Sequence, residues 1–332
     1  MSLGLPMAYL SVSSQTDGLV SISNFTSDAK SVEMSDSTPV NGRAGSYDNY
    51  ASGGETTMRA AEAINLVFFT FLIGLSLLRP LPLHRRAKAV AIGGLGLSLV
   101  WAAQLLARFL PPLAVSVIRD WLPSPLLLMI YWQAGQFFVQ PLERFQSRLL
   151  GLDRRLVDPA LRWLGRGPAR AWLAAYLEVA YLLCYPLVPF GLGALYLLHM
   201  GRYADRFWTI VLPPTYLCYV MVPFSQTLPP RMLEARQGEV VRRGKVRVLN
   251  LGILQHASIQ ANTFPSAHVA ASLSTALALY AATPWLASLF LWIAVSIALG
   301  AVLGRYHYAA DAILGAILAA AVFIAEKLLL RL

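Results

Sequence analysis

An all-α bundle of membrane-spanning helices is the fold class that three observations predict. The 332-residue chain is 57% hydrophobic and only 13% charged, well under the charged share of about 25% in an ordinary soluble domain. Its apolar residues gather into about eight runs, several near the roughly 20 residues that a helix needs to cross a bilayer. No Asp, Glu, Lys or Arg occurs from Val248 to Gly304. A chain in contact with lipid must satisfy its backbone internally, so such runs read as helices.

Residues 1–58 are rich in Ser, Thr, Asn, Asp and Gly and poor in large apolar residues, the composition of a disordered polar tail. They lack the basic-then-apolar order of a secretory signal. The apolar runs follow at 63–78, 89–107, 121–142, 171–200, 207–228, 264–282, 285–303 and 308–325. Residues 59–140 hold an N-terminal set of helices, and Pro123 and Pro125 make the third run a candidate for a re-entrant segment. Residues 141–170 carry arginines from Arg144 to Arg170 spaced among Leu, Phe and Trp, a basic amphipathic segment suited to the interface. A solvated basic loop fits that pattern equally. Residues 171–332 hold the remaining helices and every chemical motif. Trp101, Trp121, Trp208, Trp285 and Tyr306 at run ends suit interfacial belts or ordinary bundle packing. Cys184 and Cys218 lie inside apolar stretches, so no disulfide framework can be read.

The formal net charge of +10, from 27 Lys and Arg against 17 Asp and Glu, would suggest nucleic acid in a soluble protein. Here the basic residues fall between apolar runs. Anionic lipid headgroups and phosphorylated substrates are the expected partners, and nucleic acid is not.

Ionisable groups inside membrane segments are costly and mark function. They are Glu178, His268, Arg305, His307 and Asp311, with Arg231 just outside the fifth run. Glu178 stands mid-run beside Tyr176 and Tyr181 and reads as a buried structural residue. The others fall into three groups: Pro229-Pro230-Arg231, the segment from Thr263 to His268, and the segment from Arg305 to Asp311. Runs six and seven form an up-down pair, so the start of one and the end of the other share a membrane face. All three groups then border one pocket.

The middle group has the chemistry of an anion site. Asn262 or Thr263 can cap the helix and Pro265 suits its first turn, leaving free amides and the positive end of the dipole for a phosphate. Ser266 adds a hydroxyl donor, and His268 can deliver a proton to a leaving oxygen. His307 and Asp311, four apart, share a helical face. A carboxylate so placed fixes the imidazole tautomer and raises its basicity, as a histidine nucleophile requires. Arg231 and Arg305 offer guanidinium forks for phosphoryl oxygens. His84, His199 and His256 lack comparable partners and read as interfacial. Metal binding is disfavoured, because no carboxylate cluster accompanies the two site histidines.

Pro265-Ser266-Ala267-His268 followed by His307-x-x-x-Asp311 resembles the second and third signatures of the membrane phosphatidic acid phosphatase (type 2) superfamily, over about residues 207–332. The resemblance implies a six-helix phosphatase-like core and a reaction without cofactor or metal. In it His307 attacks phosphorus to form a phosphohistidine, Asp311 orients it and His268 protonates the leaving alkoxide, while Arg231, Ser266 and Arg305 hold the phosphoryl group. Phe224 stands where the first signature has lysine, Met232 where it has proline, Ala301 where the third has arginine, and Ala267 in place of glycine. These features, with Pro-Pro-Arg and Arg-Tyr-His-Tyr, look more like the inositol phosphorylceramide synthase and sphingomyelin synthase branch.

The function expected is a lipid or polyprenyl phosphoester phosphatase or phosphotransferase. An inositolphosphotransferase-type headgroup transferase is one alternative. A non-enzymatic transporter or scramblase that kept the fold is the other, against which the intact set of His268, His307 and Asp311 argues. The chain is expected to be multi-pass in the plasma (inner) membrane. Most of the 27 Lys and Arg residues lie on the site's side, which by the positive-inside rule would be cytoplasmic. The family resemblance implies an extracytoplasmic site, and that side is preferred.

Overall fold

The computed structural model describes residues 57–164, 168–236, 244–280 and 282–329, so nearly all of the expected tail at 1–58 lies outside the described residues. Among them the secondary structure is helical, with no strand and one isolated bridge between Thr227 and Asn262. The chain folds as the all-α polytopic bundle that its composition requires.

The first two runs become α1 (Ala60–Leu78) and α2 (Leu83–Leu106). The third starts earlier than its apolar residues suggested, as α3 (Pro112–Trp121) and α4 (Pro123–Gly135). Pro123 opens α4, where a missing N–H costs little. The pair therefore forms one apolar stretch, Pro112–Gly135, of 24 residues and spanning length, rather than the re-entrant turn that its prolines suggested. The basic segment folds as α5 (Glu143–Leu156) and α6 (Asp158–Leu164), and α5 buries only Leu149 and Asp153. The fourth run divides into α7 (Pro168–Leu182) and α8 (Leu187–Leu197), bent by 70° where Pro186 has no N–H for the helical ladder.

The C-terminal part comprises α9 (Ala204–Val220), α10 (Pro230–Arg236), α11 (Lys245–Ala257), α12 (Ala267–Tyr280), α13 (Pro284–Leu303) and α14 (Ala309–Leu329). Five segments are long and apolar enough to cross a membrane, or six with the bent pair of α7 and α8. At 17 and 14 residues, α9 and α12 fall short of that length, although their apolar runs are longer. Residues 221–229 and 258–266 leave the helices and meet in the bridge between Thr227 and Asn262.

Helix α12 lies at the centre, packed on α9, α13 and α14. Buried Ala270, Ser274 and Ala278 on it are small, which lets backbones approach closely in lipid. A Cβ on Gly315 would stand 2.5 Å from the Ser266 carbonyl oxygen, and one on Gly300 would stand 2.4 Å from that of Leu177. These two glycines set the spacing of α14 against the start of α12 and of α13 against α7. Val67, Leu95, Leu299 and Ile313 remain exposed on outer faces, the surface that lipid covers. Trp101 and Trp285 are exposed as belt residues would be, but Trp208 and Tyr306 are buried. Trp208 donates its indole N–H to the Asp120 carbonyl at 2.7 Å. At that end of α9 the buried charges are paired, Arg119 with Glu62 at 2.6 Å, as burial demands.

Candidate active site

The three sequence groups meet at the opposite end of α9. Helix α13 ends at Leu303 with Gly304 as its cap, and Arg305 follows in the left-handed region with φ 62°. The Tyr306 N–H then reaches back to Ala301 O at 2.8 Å and the Arg305 N–H to Val302 O at 3.0 Å. This is a Schellman closure with arginine in the position glycine usually takes. A non-glycine residue held there costs about 1–3 kcal/mol. The sharp turn brings His307 back to the first turn of α14.

There Asp311, fully buried, receives three donors on one oxygen. Asn262 Nδ2 lies 2.8 Å from Oδ2, the Tyr308 N–H 3.0 Å and His307 Nδ1 3.3 Å. A carboxylate that accepts from Nδ1–H leaves Nε2 as the imidazole's nucleophilic nitrogen. Burial and the positive charge of Arg231 hold the His307 pKa down to about 3, so the ring is neutral at neutral pH.

His268 occupies the first turn of α12, and its ring stands 5.5 Å from that of His307 between centroids, at 75°. Tyr181 and Tyr185, at the break between α7 and α8, flank it at 5.9 and 5.8 Å. The helix start differs from the expected one. Ser266 is the residue before α12, and its Oγ accepts from the Val269 N–H at 3.4 Å, while Thr263 Oγ1 accepts from Ala267 N–H at 3.3 Å. Pro265 therefore precedes the cap instead of entering the first turn. Asn262 caps nothing, because its amide is spent on Asp311 and on Thr227 Oγ1 at 3.1 Å.

Arg231, His268, His307 and Thr263 line one cavity together with Tyr181 and Tyr306. Its volume is small, about 20 Å³. The Arg231 N–H bonds Arg305 O at 2.9 Å, and its guanidinium lies 5.6 Å from the centre of the Tyr306 ring, with no carboxylate partner among the described residues. Burial lowers its pKa, a cost that an entering phosphate would offset. Two of the expected phosphate holders sit elsewhere. Arg305 pairs with Asp153 of α5 at 2.6 Å, and Asp153 Oδ1 also accepts the Ala309 N–H at 2.9 Å. Neither Arg305 nor the fully buried Ser266 reaches the cavity wall. They shape the loops that carry His268 and His307. Among the described residues no three His, Cys, Asp or Glu side chains converge as a metal ion needs.

Glu178 has the partners that its sequence neighbourhood could not supply. Arg247 and Asn250 of α11 reach its carboxylate at 2.6 and 2.9 Å, and Tyr306 Oη donates to it at 2.5 Å. Tyr306 also stacks on Tyr181 at 3.8 Å and 2°. Glu178 thus fixes a cavity wall from behind. Replacing it by Ala leaves Arg247 without its carboxylate, a loss of roughly 3 kcal/mol for a pair this buried. The expected result is a lower melting temperature in detergent with a raised KM. Unchanged values of both would remove this role. Arg247, Asn250 and Asp153 escaped notice in the sequence because each partner lies tens of residues away. Only the end of the charged loop at Arg247 hinted at a position near the interface.

A family model described as the PAP2 superfamily matches residues 147–325, more than half of the chain. The match begins in α5, well before the 207–332 span over which the motifs carried a resemblance, and so takes in Asp153 and Glu178. No curated protein and no solved structure matches the chain.

Proposed function

The chain belongs to the PAP2 superfamily, a family of phosphoesterases, and from that premise we propose that it cleaves a lipid or polyprenyl phosphoester through His307. The observation that carries this reading is His307 Nδ1 held 3.3 Å from Asp311 Oδ2, across a cavity from His268 and beside Arg231. His307 Nε2 attacks phosphorus and the ester P–O bond breaks. His268 gives its proton to the departing oxygen. An anionic phosphate between Arg231 and His268 favours the protonated imidazole that this step needs. In the second step water or an alcohol attacks the phosphohistidine, the P–N bond breaks, and His268 takes the proton back. Ser266 and Arg305 serve by positioning these two histidines. Arg231 is the direct phosphate ligand.

The fork of Arg231 should matter beyond its charge. Arg231→Lys is expected to lower kcat/KM by roughly 10- to 100-fold, since an ammonium cannot make paired contacts. Assays with labelled phosphatidic acid and polyprenyl diphosphate, with diacylglycerol or ceramide as acceptor, measure this and separate hydrolysis from transfer. No release or transfer of phosphate from any of them would refute the proposed activity, and a wild-type rate in the lysine variant would place the phosphate on other groups.

The protein is an integral membrane protein. We place the cavity on the extracytoplasmic face of the plasma membrane, as the notable charge of the site loops serves substrate instead of topology. A single cysteine at exposed Gln255, in a background lacking Cys184 and Cys218, should react with a membrane-impermeant maleimide in intact cells. Reaction only after permeabilisation would reverse the orientation.

A further inference from the structure

His84 and His256, which had no partner in the sequence, come together beside the catalytic cavity. With Arg85 and Lys88 they line a second, larger cavity of about 540 Å³, whose wall includes Trp132 and Gln136. No acidic side chain lines it. Ligand sites commonly fall near 300–1,000 Å³, so this one has room for a headgroup that the catalytic cavity of about 20 Å³ lacks.

The cavity is built, not incidental. The Arg85 guanidinium donates to Phe138 O and ties the start of α2 to the chain after α4. The Trp132 indole N–H donates to Ala257 O at 3.1 Å, and the Ile259 N–H to Tyr131 Oη at 3.0 Å. Ser258 lines both cavities. His84, Lys88 and His256 are left exposed on the rim. Its α2 and α4 walls come from residues before 147 and so lie outside the family match.

We propose that this second cavity seats the phosphate of an anionic phospholipid other than the molecule that reacts. Arg85, Lys88, His84 and His256 on a wall without acidic side chains offer N–H donors to the oxygens of a phosphodiester, and such charge-assisted bonds are the strong ones. Exposed Val90, Leu128 and Trp132 continue the surface along α2 and α4, which gives acyl chains an apolar track that a soluble phosphate would not use. The same loop runs on from Ser258 to Asn262 and Thr263, which hold Asp311 and the start of α12, so an occupied cavity bears directly on the catalytic loop.

Binding can be read without turnover, so this proposal stands or falls apart from the catalytic one. Dioctanoyl phosphatidylglycerol is titrated onto the purified full chain in zwitterionic detergent, in parallel with dioctanoyl phosphatidylcholine and inorganic phosphate. Saturable binding of the phosphatidylglycerol alone is expected. The double variant Lys88→Gln, His256→Gln should weaken it about tenfold or more, as the loss of two charge-assisted contacts implies. Ala257→Trp keeps every charge but fills the cavity, and it too should lose binding; if the double variant fails to fold, this variant decides. Wild-type affinity in the variants overturns the site. Equal binding of phosphatidylcholine overturns the charge recognition, and inorganic phosphate binding as tightly as the lipid makes it a site for a soluble anion instead.

Discussion

His307→Ala is expected to abolish turnover, by roughly 10⁴-fold or more, because it removes the atom that forms the covalent bond and nothing nearby replaces it. Trapping with labelled substrate followed by denaturation should yield a phosphoenzyme that is labile in acid and stable in alkali, as a phosphoramidate is. The label should be absent from the His307 variant. Asp311→Asn is expected to leave residual activity, with a loss of roughly 10²- to 10⁴-fold. An asparagine keeps an acceptor for the Tyr308 N–H, 3.0 Å away in the native chain, but it no longer selects the imidazole tautomer. Full activity of the His307 variant, or label that persists without His307, would remove the mechanism.

The residues that separate these two variants were also the most legible in the sequence, and the reason is geometric. His307 and Asp311 are four apart, a spacing that one helical turn converts into a contact without any help from the rest of the fold. Helix runs are legible for a similar reason, since apolar composition over about 20 residues needs no partner to be recognised. What escaped was everything fixed by pairing across long stretches of chain. Asp153 reads as one polar residue of an amphipathic helix, yet it is fully buried against Arg305 and Ala309. Arg305 read as a phosphate ligand because a basic residue beside a nucleophile suits an anion, and nothing local in the sequence marked its tie to α5. Asn262 read as a cap because Asn is a good cap, but the bridge at Thr227 turns its amide onto Asp311. The short α9 and α12 belong to the same class: their apolar runs continue past the helix ends, and only the tertiary bridge dictates where helix gives way to loop.

His268 offers the sharper test of how the two histidines divide the work. Its ring is 5.5 Å from that of His307 and is flanked by Tyr181 and Tyr185, so a substitution could act through packing or through chemistry. The two are separated by the leaving group. A lipid alkoxide is a poor leaving group and needs a proton as the P–O bond breaks, a contribution of about 10²- to 10⁴-fold from a positioned acid. A p-nitrophenolate leaves without one. His268→Gln, which keeps much of the side-chain volume, should therefore slow phosphoenzyme formation about 10²- to 10⁴-fold on a dialkyl or lipid phosphoester while releasing a first equivalent of p-nitrophenolate from p-nitrophenyl phosphate, as a burst, at close to the wild-type rate. The His307 variant, by contrast, should fail on both substrates, because attack on phosphorus precedes any question of the leaving oxygen. Equal losses on the two substrates in that first step of the His268 variant would mean that the ring only spaces the cavity, and the proton for the leaving oxygen would then have to come from another donor on its wall, Tyr181 or Tyr306 first among them.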